Sequence, residues 1–289
     1  MRRRWAIGLL PLILLANGCG TTVQGEAAED PQALAEVMFP LARKSIEDNL
    51  ANDTDGRYTA YVYVKMGAGQ LGNESNVSIL GGDPSVLEVR QSRLDPGLKV
   101  TVYHPSGDSR DLMRLDGKFT SLAPTQWVSY PTYYVSRNTI TCSYPALDIL
   151  CNVQRAREDT EKAKPPNLLH DAKVLADGAV ELHSGATLKS LLDQRVFTVA
   201  AEISNQLTAE MMRTVLPVRI TLDADKKLRS IEVNGEASGK PTGLSIQLGF
   251  ERRGPASPSD FPAMPNPAEV TVIPDEQGRA QLWQRIHGS

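Results

Sequence analysis

Apolar residues follow two rhythms along this chain. Leu34, Val37, Met38, Leu41, Ala42 and Ile46 recur every three or four positions, which places them on one face of a helix. Asp30 can cap that helix, and Pro31 fits its first turn. Pro40 is expected to kink or divide it, and the run Asn52-Asp53-Thr54-Asp55-Gly56 to end it. From Arg57 the rhythm becomes an alternation. Arg57–Met66, Val86–Gln91, Leu98–His104, Leu112–Leu115, Lys118–Leu122, Trp127–Tyr134 and Thr139–Cys142 read as strands. Asp95-Pro96-Gly97, Pro105-Ser106-Gly107 and Asp116-Gly117 punctuate them. Such short turns join antiparallel neighbours, because parallel strands need a long crossover.

Helical spacing returns in the second half. Lys162-Ala163-Lys164-Pro165 reads as a hinge before a helix over Pro166–Ala176. Thr187–Gln194 and Leu207–Leu216 are stronger helices, with a strand over Arg195–Ile203 between them. Pro217–Asp223, Leu228–Asn234 and Leu244–Phe250 are strands, the first two joined by a polar turn that ends at Lys227. Gly254–Pro267 is rich in proline and serine and should be irregular. Val270–Ile273 suits a last strand and Asp275–Ile286 a short exposed terminal helix. The pattern predicts an α+β domain with one large, curved antiparallel β-sheet and helices covering its concave face.

The N-terminus has a different character. Arg2, Arg3 and Arg4 precede an uncharged apolar run, Trp5–Leu15. That run is shorter than the roughly 20 residues a membrane-spanning helix needs, and it has the length and flanks of a signal-peptide core. Leu15-Ala16-Asn17-Gly18-Cys19 follows and resembles the lipobox of bacterial lipoproteins, whose cysteine is acylated and becomes the first residue. Residues 1–18 are therefore expected to be a signal peptide and Cys19 the lipidation site, anchoring the chain at the extracytoplasmic face of the cell membrane. Gly20–Asp30 has no apolar periodicity and suits a flexible tether. The expected organisation is signal peptide 1–18, tether 19–30, folded domain 31–273 and C-terminal tail 274–289.

Composition narrows the partners. Removing 18 of the 289 residues leaves 271 and takes three arginines away, so 28 Lys and Arg face 34 Asp and Glu, a net charge near −6. This mildly acidic chain has no basic footprint for nucleic acid and no polybasic stretch for anionic lipid heads. A monomer is expected, held to the membrane by its lipid. Two cysteines remain, Cys142 and Cys151. An oxidising compartment favours a disulfide between them over free buried thiols, and a zinc site would want more Cys or His nearby.

Candidate chemistry is sparse. Gly67-Ala68-Gly69-Gln70-Leu71-Gly72 matches a dinucleotide-binding pattern, but no helix signal follows it, so it reads as a flexible hairpin loop. His104, His170, His183 and His287 lack ligand spacing and read as surface or loop residues. Asp223 and Asp225 resemble the start of a calcium loop without its glycine and distal glutamate. No serine sits in a nucleophile elbow. The expectation is a protein without metal or cofactor that is not an enzyme.

Val196–Pro274 resembles the C-terminal half of mycobacterial and actinobacterial envelope lipoproteins of the LppX/LprG type, relatives of the LolA and LolB carriers. The likeness lies in the order of parts: strand Val196–Ile203, helix Leu207–Leu216, Pro217 opening Val218-Arg219-Ile220-Thr221-Leu222-Asp223, then Leu228–Val233, Leu244–Phe250 and Val270–Pro274. Met113–Phe119 followed by Trp127-Val128 resembles the family's central hairpins. The resemblance implies a half-open barrel whose helices close an apolar cavity, and a role in binding or shuttling a lipid or other apolar ligand. The alternative is an interaction or sensing module of the same fold. Leu188, Leu191, Leu192, Leu207, Met211, Met212 and Val215 lie on the helices expected to face the sheet. Ordinary core packing accounts for each of them singly, but adjacent methionines also suit variable acyl chains. A lipid pocket of about 300 Å³ or more is expected between those helices and the sheet.

Overall fold

The computed structural model describes residues 30–51, 55–81, 85–132, 146–199, 201–240 and 242–287. Cys19, the signal peptide, the tether up to residue 29 and Cys142 lie outside the described residues. The first helix, α1 (Pro31–Ala51), begins where Asp30 Oδ1 accepts the Gln32 amide at 3.0 Å, and it runs through Pro40 without division. Six strands follow: β1 (Gly56–Met66), β2 (Gly69–Leu80), β3 (Ser85–Ser92), β4 (Lys99–His104), β5 (Arg110–Leu115) and β6 (Trp127–Pro131). Then come α2 (Leu147–Ala163), β7 (Asp171–Val174), β8 (Val180–Thr187), α3 (Leu188–Asp193), α4 (Ala201–Ser204), α5 (Ala209–Arg213), β9 (Val215–Leu222), β10 (Leu228–Ala237), β11 (Leu244–Gly254), β12 (Val270–Val272) and α6 (Glu276–His287).

Among the described residues the twelve strands form one sheet in the order β12-β6-β5-β4-β3-β2-β1-β11-β10-β9-β8-β7. Neighbours are antiparallel except β12, which runs parallel to β6. β6 and β12 are separated by the whole chain from α2 to β11, far more than the crossover a parallel pair requires, and β12 is reached from β11 through the long proline-rich segment 255–269. The segment passes the outer face, where Phe261 meets Tyr103 with ring centroids 6.1 Å apart. The sheet is open, since β7 and β12 end the order without pairing to each other.

Register shows which face is covered. Tyr58, Ala60, Val62, Val64 and Met66 of β1 share a face with Val77 and Ile79 of β2, and they join one core with Phe39 and Ile46 of α1, Leu150 of α2 and Leu191 of α3. A second core on the same face joins Val100, Val102, Met113, Leu115 and Val128 to Leu282 and Ile286 of α6. Helices therefore pack on one face, α1, α2 and α3 over the β7–β11 half and α6 over β4–β6. A buried knot fixes α2 to α3: Thr160 Oγ1 lies 2.8 Å from Ser190 Oγ and accepts the Thr187 amide at 2.9 Å.

Several expectations are corrected. Residues 171–174 form strand β7, not part of a helix over 166–176; Ala172 is buried at the sheet edge, which pairs β7 with β8. The expected strand over Arg195–Ile203 does not form in its described residues: 195–199 are irregular, and Ala201–Ser204 is helical. Lys118–Leu122 lies in a 3-10 turn, entered by Gly117 at φ +57, where a Cβ would stand 2.4 Å from the Gly97 carbonyl oxygen. Gly69–Gly72 is not a loop. Gly67 (φ +58) and Ala68 make a two-residue turn and the chain returns at once as β2. The last helix is not an exposed tail either, because Leu282 and Ile286 bury against the second core.

Candidate functional site

The two cores share a face but do not meet. On β3, Val86 belongs to the first core, whereas the next inward positions are Glu88 and Arg90. Glu88 pairs across to Val77 of the first core and Val102 of the second, so it stands on the border. A cleft of about 230 Å³ opens there. Val62, Leu71, Ile149 and Phe197 give it apolar walls, and Asn73, Ser75, Glu88, Arg90 and Asp148 give it a polar side. Elements distant in sequence supply these walls: β1, β2 and β3 from below, the first turn of α2 and residues 196–198 from above.

The polar side is organised around Glu88, which is 4% exposed. Its Oε1 accepts from Ser75 Oγ at 2.9 Å and from Arg90 Nε and Nη2 at 3.1 and 3.0 Å. Burying a carboxylate demands this degree of pairing. Arg90 also lies over the Trp283 ring of α6, 5.6 Å from its centroid, and so joins the cleft to the second core. Asp148 is placed differently. It occupies the first turn of α2, where a negative charge complements the helix dipole, and its Oδ1 accepts the Ile149 amide at 2.8 Å. No cation pairs with it among the described residues. Asp148 is exposed at the mouth of the cleft, and the part of its hydration that the cleft walls remove pushes its carboxyl up to about 6; Glu88 adds to the rise, and the Ile149 amide and Arg90 oppose it.

A second polar group lies deeper, beneath α6. His104 Nδ1 is 2.9 Å from Asp111 Oδ1 with both side chains buried. His104 is thus an interior residue and not the surface group its spacing suggested. Tyr130 beside them is 1% exposed, and its hydroxyl has no hydrogen-bond partner among the described residues. Burial pushes that phenol well above its usual range, helped by Asp111 and Glu88. His183, in β8, is also no loop residue: it lies between Asp171 and Glu181, at 2.5 and 2.8 Å, on the opposite face of the sheet. That outer face carries two further cavities, of about 250 and 450 Å³, which touch Arg219 and Arg253 respectively.

The residues expected to line a lipid pocket are placed elsewhere. Leu188, Leu191 and Met211 are fully buried in the first core, and Leu192, Leu207 and Met212 pack against it. Val215 is half-buried and belongs to β9, not to a helix. None of the seven lines the cleft. Packing there is tight: Met211 Sδ sits 2.5 Å from where a Cβ on Gly239 would stand. Cys151 is buried in the first turns of α2, while its expected partner Cys142 lies outside the described residues. Sequence reasoning missed α2 altogether, although Leu147, Leu150, Val153 and Ala156 carry helical spacing. Charged residues between them and the preceding proline hid the signal.

No family model matches the chain, and no curated protein matches it. Among solved structures, a DUF1329 family protein from Desulfovibrio piger is similar at 10% identity and a TM-score of 0.24, over 81% of this chain and 98% of that one. A putative outer membrane lipoprotein-sorting protein domain from Vibrio parahaemolyticus is similar at 12% identity and a TM-score of 0.22, over 78% and 97%. Scores this low leave fold and function to be argued from the chain itself.

Proposed function

We propose that this chain is a lipid-anchored envelope protein whose folded domain binds a small amphipathic ligand in the cleft between its two cores. The observation that carries this reading is the cleft itself. A helix-covered sheet face leaves an open cleft of about 230 Å³ there, with apolar walls on one side and charged groups on the other, as an amphipathic ligand requires. That volume is below the roughly 300 Å³ at which ligand pockets usually begin, and the cleft is open along one side, so a longer molecule can project from it. The resemblance to LppX/LprG-type lipoproteins supports the same reading, with the binding place moved from α3 and α5 to the start of α2.

Asn73 tests it. This residue is exposed on β2 and lines the cleft, so Asn73→Trp fills the space without disturbing a packed core. The variant is expected to lose whatever amphiphile co-purifies with the wild type, read by mass spectrometry of the extracted protein, while the melting temperature stays within about 2 °C. Unchanged ligand content in a folded variant defeats the proposal. A second reading, an interaction module, is favoured by one observation: Val37 and Leu41 of α1 are 61% and 40% exposed.

A further inference from the structure

Resting on the ligand-binding reading above, we infer that the cleft selects molecules that join an apolar body to a positively charged group, with Asp148 as the counter-ion. The inference follows from how charge is distributed among the lining residues. Three of them are ionisable: Glu88, Arg90 and Asp148. Glu88 and Arg90 neutralise each other through two hydrogen bonds to one carboxylate oxygen, and the Arg90 guanidinium is further engaged by the Trp283 ring. Their contribution to the cleft is close to zero net charge. Asp148 is left as an uncompensated carboxylate. It accepts an amide hydrogen bond from its neighbour, but no lysine, arginine or histidine forms an ion pair with it among the described residues.

Its surroundings raise the value of a cationic partner. Ile149, Val196 and Phe197 stand along the same cleft as Asp148. A carboxylate beside apolar walls has lost part of its water and is less well solvated than one on an open surface. A ligand ammonium placed there restores what the walls removed, and its hydrocarbon part covers the apolar side. An anionic headgroup meets the opposite situation, because Asp148 repels it and the Glu88–Arg90 pair, already neutral, offers it no free cation. A neutral headgroup gains only the hydrogen bonds of Asn73, Ser75 and Thr198.

Protonation gives the inference a second handle. The groups facing Asp148 across the cleft are Glu88 and Arg90 of β3, and the remaining polar lining groups do not titrate. Because the cleft walls push the Asp148 carboxyl up to about 6, the attraction for a cation is present above that pH and fades as the pH falls through it.

Three probes with one chain length separate the possibilities: dodecyltrimethylammonium, dodecanol and dodecanoate, each below its micelle concentration. They are titrated calorimetrically into the full mature chain carrying Cys19→Ser, at pH 7.5 and 4.5. The quaternary probe keeps its charge at both values. It is expected to bind about five- to tenfold tighter than dodecanol at pH 7.5, the scale of a partly desolvated ion pair, and to lose most of that advantage at pH 4.5. Asp148→Asn keeps the side-chain shape and an acceptor for the Ile149 amide, and is expected to abolish both the preference and its pH dependence. Asp148→Glu is expected to retain them. Equal or tighter binding of dodecanoate, or a preference that survives Asp148→Asn, overturns the inference and leaves the ligand-binding reading standing. Failure of all three probes to bind overturns both.

Discussion

A leucine on a short helix that faces a sheet suits a packed core and an apolar ligand wall equally, because both environments exclude water. Leu191 is such a residue, and only its neighbours decide the matter: it is fully buried in the first core beside Leu188 and Met211. Leu191→Trp should therefore overpack that core and cost about 1–3 kcal/mol or more, read as a lower denaturation midpoint. A variant as stable as the wild type would reveal hidden space under α3. The polar residues of β2 teach the converse. Asn73 and Ser75 look like loop residues, and so the strand was not legible. They are polar because they line a cleft, and the backbone around them is held as strand by β1 on one side and β3 on the other. Tertiary pairing overrides local propensity at such positions.

Elements of regular apolar periodicity were easy to read, although in α1 the expected face is only partly right: Ala42 and Ile46 are buried with Ala35 and Phe39, while Val37 and Leu41 are exposed. Helix α1 and strands β1, β3, β4, β9, β10 and β11 fall within a few residues of their expected bounds. Elements whose inner face is partly polar were not. Helix α2 buries Gln154, Arg157 and Thr160 beside its leucines, and this mixture resembles a solvated face. Helix α6 is amphipathic on a small scale, with Leu282, Ile286 and Arg279 buried. Arg279 Nη1 donates to the Pro131 carbonyl oxygen at 2.9 Å and secures the helix to the end of β6. Its role is to cover the second core, which α1, α2 and α3 do not reach. Leu282→Ala is expected to cost about 2–5 kcal/mol, the range for truncating a buried leucine, measured by chemical denaturation. A loss under 0.5 kcal/mol would mean that α6 is dispensable.

At the scale of the whole molecule, the expected anchor and the expected disulfide can be checked together. The intact mature protein recovered from membranes should begin at Cys19, carry the mass of its acyl groups, and lack two protons because Cys142 and Cys151 are bonded. Cys19→Ser should release it or block its processing, since firm anchoring needs at least two acyl chains. An unmodified Cys19, or two alkylatable thiols, contradicts the respective expectation. The order of the sheet has a separate bearing on how the protein is made. The meander β1–β6 comes early in the chain, yet β11 pairs along one of its borders and β12 along the other. Until the last few dozen residues arrive, both margins of that meander remain open, and unpaired strand margins invite association with other chains. Completion of the sheet is therefore tied to completion of synthesis. The final segment to be synthesised is thus the one that closes both margins of the structure.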